Sequence, residues 1–167
     1  MEKIMWLVLG GVALVAALRA HRSRRARYVA RWALGILMIV FGAAVNAVYL
    51  AVDPDYYSVF ATPSPFAFVR DTWQSLVLPN LRFFITLLIV FEAAMGLLIL
   101  SGARRTQVGL IGLIGFHIGQ LAFGGVMWVW APLMLITLVL LLRAERHALV
   151  DAPEPRAAKT LSIGASG

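Results

Sequence analysis

The sequence predicts an all-α fold: a polytopic membrane helix bundle. Three observations carry that expectation. Of 167 residues, 61% are hydrophobic and 14% charged, whereas a soluble domain has roughly 45–50% and about 25%. The apolar residues gather in blocks close to the span length of about 20 residues. The basic residues fall almost entirely on alternate sides of those blocks, as they do in membrane proteins of fixed orientation. Cysteine is absent, which excludes disulfides, a thiol redox couple and a thiolate metal site.

Five apolar blocks follow in order. The first is Ile4–Leu18, short but extendable by its flanks. The second is about Trp32–Val52 and the third about Leu81–Ser101. The fourth and fifth share a run from Val108 to Leu142, divided at "GGVMWVWAP" by Gly124, Gly125 and Pro132. Proline suits a first helical turn, where its missing N–H costs nothing, so Pro132 is expected to open the fifth helix.

Twelve of the 15 basic residues sit between spans one and two, between spans three and four, or after span five. Lys3, Arg70 and Arg82 are left on the other side, with Glu2, Asp53, Asp55 and Asp71. The positive-inside rule then places the N-terminus outside and the C-terminus inside. The net charge of +7 thus serves orientation and contact with anionic lipid rather than nucleic acid. A cleaved signal is disfavoured, because the arginines follow the first apolar block instead of preceding it.

The expected organisation has four parts. Residues 1–20 form an N-terminal transmembrane anchor helix, and residues 31–146 a four-helix bundle. Inside the latter, 53–80 is an outer loop with a short amphipathic helix. Its helix, Ser64–Leu78, takes Ser64 as cap and Pro65 in the first turn, with Phe66, Val69, Trp73, Leu76 and Val77 at helical spacing. The polar, Pro/Gly/Ala-rich stretch 150–167 reads as a disordered inner tail. Trp6, Tyr56, Tyr57, Trp73, Trp128 and Trp130 mark the outer interface, and Tyr28 and Trp32 the inner one.

Glu92 lies in the middle of "LLIVFEAAMGLLIL". A charged group at that depth costs roughly 2.5–3.5 kcal/mol on insertion scales, so it faces the bundle interior and needs a partner. His117 in span four falls at the same depth; Asn46 in span two and Gln120 in span four fall in the outer half. At 100° per residue, Asn46 shares a face with Gly35, Ile39, Gly42, Ala43, Tyr49 and Asp53. The expectation is a polar seam rising from Glu92 and His117, through Gln120 and Asn46, to Tyr49 and Asp53. Gly112, Gly115 and Gly119 form a small-residue stripe on span four, which is expected to pack against a neighbouring helix of the chain or, less readily, a second copy.

The seam has two readings. It is interhelical glue, or it is a ligand or proton site. One His and one Glu are too few for a metal site, and no cofactor motif is evident.

Spans two to five resemble the DoxX-like membrane proteins, small bacterial four-helix proteins. The resemblance rests on "RWALGILMIVFGAAVNAVYL" and "FEAAMGLLILSGARRTQVGLIGLIGFH" and covers about Arg31 to Arg146. It implies a bacterial cytoplasmic membrane and a role in membrane-linked redox or sulfur metabolism, quinone-linked in some members and often through partner proteins. Two functions therefore stay open. One is an accessory or scaffold subunit without a catalytic centre of its own, holding a protein partner or a second copy. The other is a binding protein or oxidoreductase component for a quinone-like or lipid ligand, in which His117 donates to a carbonyl and Glu92 carries a proton. No catalytic motif decides whether the chain is an enzyme.

Overall fold

A computed structural model describes residues 2–150, with side chains from residue 4 onward. Five long helices make up the bundle. They are α1 (Glu2–Arg19), α2 (Arg24–Val52), α3 (Ala67–Ser101), α4 (Ala103–Phe123) and α5 (Met127–Val150). Helices α2 to α5 are each long and apolar enough to cross a bilayer, and α1 is a shorter apolar helix. This is a multi-pass membrane architecture, all-α as the composition predicts. The inner tail expected from residue 150 falls, from Asp151 on, outside the described residues.

The helices form a closed ring. Each packs on its neighbours in sequence, and α5 returns to pack on α1. Two ring contacts fix the direction of α1. Trp6 lies 5.2 Å from Trp130, near the starts of α1 and α5, and His21 lies 5.5 Å from His147, near their ends. The two helices therefore run parallel over the full depth of the bundle. Ala13, Ala16 and Ala17 of α1, and Ala20 just after it, are buried in the same core as Leu34, Leu110 and Leu138. Helix α1 is thus a wall of the bundle, not an anchor standing apart from it. One end carries the N-terminus, residues 53–66 and the α4–α5 turn. The other carries the arginine-rich turns.

The arginine end is tightly capped. Ser23 caps α2, its hydroxyl accepting from the Ala26 N–H at 3.2 Å. Helix α2 starts at Arg24, not at Trp32, so the arginine-rich stretch is itself helical. Arg31 donates to the carbonyls of Ile99 (3.0 Å) and Leu100 (2.9 Å), which end α3. Gly102, at φ 87°, reverses the chain into α4. Thr106 closes the turn, accepting from Gly102 N–H and donating to the Ile99 carbonyl at 2.9 Å. The last carbonyls of a helix need such partners when water is absent.

Glycine sets the helix spacing in this half. A Cβ on Gly96 of α3 would lie 2.6 Å from Ile39 and 3.2 Å from the Gly35 carbonyl of α2. A Cβ on Gly109 of α4 would lie 3.0 Å from the Met95 carbonyl of α3. Close approach of this kind drives helix association in lipid. The expected stripe of Gly112, Gly115 and Gly119 needs correction. Gly112 does face Met95, but Gly115 and Gly119 meet nothing within 4 Å. Periodicity identified a common face, and only its Gly112 edge abuts a neighbouring helix.

Three other expectations shift. The outer segment is helical, but it begins at Ala67 and forms the first part of α3 itself, joined to the apolar span by a wide turn at Trp73–Val77 and a tight one at Leu78–Asn80. Ser64 does not cap it. Its hydroxyl donates to the Ala122 carbonyl at 2.6 Å, tying the loop to α4. Val69, Trp73 and Val77 turn inward, whereas Phe66 and Leu76 stay exposed. Pro132 lies inside α5, which starts at Met127. Gly124 (φ 71°) and Gly125 (φ 55°) make that turn instead. A Cβ on Gly124 would lie 2.5 Å from the Pro63 carbonyl, so the turn needs glycine for both conformation and space.

Candidate functional site

Helix α2 changes winding in its middle. Residues Leu37–Ala44 form i→i+5 turns, wider than the flanking α-helix. Such turns recur at functional sites because they re-aim the residues that follow. Here they bring Gly42 and Asn46 toward α3 at the level of Glu92. A Cβ on Gly42 would lie 2.9 Å from the Glu92 carboxyl carbon, so glycine makes room for that carboxyl group.

Glu92 is 4% exposed. Its Oε2 accepts from the Asn46 amide nitrogen at 2.9 Å. The Asn46 carbonyl oxygen in turn accepts from the Tyr57 hydroxyl at 2.9 Å. Tyr57 is buried on the Pro54–Val59 turn, and its backbone carbonyl accepts from the Trp73 indole N–H at 2.9 Å. The chain Trp73–Tyr57–Asn46–Glu92 thus links the loop end to mid-bundle. Burial pushes the Tyr57 phenol up to about 12, with nearby Tyr56, Glu92 and Tyr49 adding to the shift. It therefore remains a hydrogen-bond donor at physiological pH.

A cavity of about 310 Å³ lies beside this chain, the lower end of the size range of small-molecule sites. It reaches from Glu92 to the aromatic end. Its walls are mostly apolar or aromatic, among them Phe41, Phe84, Leu88, Phe116 and Phe123. Tyr49 and Tyr56 also line it, with their rings stacked at 4.1 Å and 13°. Among the described residues lining it, Glu92 is the one Asp, Glu, Lys, Arg or His side chain. Trp6 and Gln120 also line it; their Nε1 and Oε1 atoms are sealed from solvent and have no hydrogen-bond partner among the described residues. Among the described residues, no three His, Asp or Glu side chains gather as metal ligands.

The expected seam is met only in part. Glu92, Asn46, Gln120 and Tyr49 converge on one cavity. His117 does not line it. That ring is 1% exposed and bonds through Nδ1 to the Leu113 carbonyl of its own helix at 2.8 Å. An i−4 carbonyl is within reach of a helical imidazole, and here it takes the partner that depth alone assigned to Glu92. Asp53 is exposed and ends α2, outside the cavity. Tyr57, Trp6, Trp73 and Gly42 belong to the site but do not declare it in the sequence. The three aromatic residues read there as interfacial belt, and Gly42 as one small residue on the Asn46 face. Comparison with protein-family models, with characterised proteins and with solved structures finds no match to this chain.

Proposed function

We propose that this chain is a binding protein for a small membrane-soluble amphiphile, held in the cavity beside Glu92, Asn46 and Tyr57. One observation carries this reading. A cavity of about 310 Å³ with mostly apolar and aromatic walls opens beside Glu92, a buried carboxyl group at mid-bundle. Protein interiors leave few voids larger than a water molecule, so a seam built only for packing would close this space. A quinone ring and a lipid-like amine are both of suitable character. The resemblance of residues 31–146 to DoxX-like proteins supports a bacterial cytoplasmic membrane, and the basic asymmetry supports an outward-facing aromatic end.

The binding test uses the tryptophans of the cavity wall. A short-chain benzoquinone should quench their fluorescence saturably, and Val45→Phe, which fills the cavity, should abolish saturation. Quenching that is linear and equal in both proteins would contradict the reading for quinones. Orientation is tested on intact cells. A cysteine at Ser58 should react with an impermeant thiol reagent and one at Arg105 should not; the reverse pattern would overturn it.

A second reading, an accessory subunit, is favoured by one feature. Gly115 and Gly119 face open space on α4, where a partner helix could approach closely. A stable co-purifying protein displaced by Gly115→Leu would mark that role.

A further inference from the structure

We infer that the molecule this cavity takes is a lipophilic organic cation, a protonated amine carrying an aromatic or alkyl body, with Glu92 as its counter-charge. The inference rests on the binding reading above and narrows its ligand. Two independent features of the walls point the same way. Glu92 is the one carboxyl side chain among the described lining residues, and no arginine, lysine or histidine accompanies it. Its neighbour Asn46 supplies a single neutral N–H donor at 2.9 Å, which orients the carboxylate but does not neutralise it. A carboxylate inside a membrane bundle is stable only beside a positive partner or when protonated, and a cationic ligand supplies that partner.

An ammonium group has N–H donors and no acceptor, which suits the Glu92 carboxylate. The second feature is the aromatic wall. Tyr49, Tyr56, Trp73 and Phe116 surround the same space, and ring faces attract cations within about 6 Å of their centroids. A neutral quinone has only acceptor oxygens, so it pairs with Glu92 only while that group holds a proton. An anionic lipid headgroup would meet Glu92 with like charge. Binding needs no covalent step. If Glu92 holds a proton before the cation arrives, that proton leaves to solvent as the ion pair forms.

The test compares two probes of nearly one shape, 2-phenylethylammonium and 2-phenylethanol. Calorimetric titration of the full chain in nanodiscs, corrected with empty nanodiscs at neutral pH, reads their affinities. A charge-assisted hydrogen bond should make the ammonium bind about tenfold tighter or more. Glu92→Gln should bring the two affinities together. Equal binding by the unaltered protein would overturn the inference and leave the cavity reading intact; that comparison does not depend on a variant folding. A preference that survives Glu92→Gln would also overturn it. If neither probe binds but the benzoquinone does, the ligand is neutral and the cation inference falls alone. If none of the three binds, both readings fall.

Discussion

The two ends of this bundle solve the same problem in opposite ways. At the arginine end, helices approach through Gly35, Gly96 and Gly109, and polar groups meet partners inside the chain. Arg31 and Thr106 serve the carbonyls that end α3. At the aromatic end the same helices splay around a cavity of about 310 Å³, and two buried polar atoms go unpartnered. The backbone differs as well. Both wide-turn segments, Leu37–Ala44 and Trp73–Val77, contribute residues to the cavity wall, Phe41 from the first and Trp73 and Val77 from the second. Tight packing and full hydrogen bonding stabilise a membrane bundle, whereas a site must hold some capacity in reserve. The difference teaches that this chain places its close packing and its open space at opposite depths of one ring of helices.

If the division is real, damage should be unequal at the two ends. The largest effect is expected from Gly96→Val. Its Cβ alone would lie 2.6 Å from Ile39 and 3.2 Å from a backbone oxygen, and overpacking of this sort costs about 1–3 kcal/mol or more. Loss of monodisperse protein, or a large fall in the thermal midpoint, would show it; a midpoint unchanged from the parent would break the comparison at its stable end.

Arg31→Ala should come next, with a loss of about 2 kcal/mol, since it strips charged donors from two carbonyls. Thermal or denaturant unfolding in one detergent measures it. A cost smaller than that of Glu92→Leu would reverse the expected order of the two ends.

Glu92→Leu should cost about 1–2 kcal/mol, the scale of an interhelical hydrogen bond in model peptides. Glu92→Gln should be nearly silent in stability, because an amide keeps hydrogen-bonding groups toward Asn46. Were Gln as damaging as Leu, the charge itself would be holding the fold, and the aromatic end would be structural after all.

The smallest effect concerns Tyr57. Its phenol is raised on folding to about 12, chiefly by burial, above the ordinary value near 10. The neutral form is the one the fold favours. The stabilisation is therefore present below the unfolded value and is lost as pH rises through about 12. In an ultraviolet titration, Tyr57→Phe should leave the tyrosinate signal up to about pH 11 unchanged and diminish it only above that. Loss of a titration step near pH 10 would show that Tyr57 is not sealed into the Asn46 chain.

Much of the architecture was legible because membrane helices obey one-dimensional constraints. Span length and arginine placement yielded the bundle and the shared end of Trp6 and Trp130. The centre of the site was legible too, since Glu92 needs an inward partner and Asn46 lies at reach. Three things resisted. The wide turn at Leu37–Ala44 breaks the 100° spacing on which facial reasoning depends, so Asp53 was carried onto a face it does not serve. His117 had a competing acceptor four residues back, which depth matching ignores. Tyr57, Trp6 and Trp73 belong to residue types that serve equally as interfacial anchors and as cavity walls, and composition cannot separate the two uses.

The cavity claim is open to a direct chemical probe, because the chain lacks cysteine. Leu88 lines the cavity one turn from Glu92, whereas Leu110 is fully buried at the arginine end. Single cysteines at each position, in detergent-solubilised protein, would be exposed to a trimethylammonium methanethiosulfonate and to its sulfonate counterpart. Leu88→Cys should react with the cationic reagent, at a cation-to-anion rate ratio about tenfold or more above that of an exposed Ser58→Cys, because a lone carboxylate in a low-dielectric pocket gathers positive charge. Leu110→Cys should react with neither. A Leu88→Cys as inert as Leu110→Cys would contradict the existence of an accessible site, and a ratio equal to that of Ser58→Cys would contradict its preference for cations.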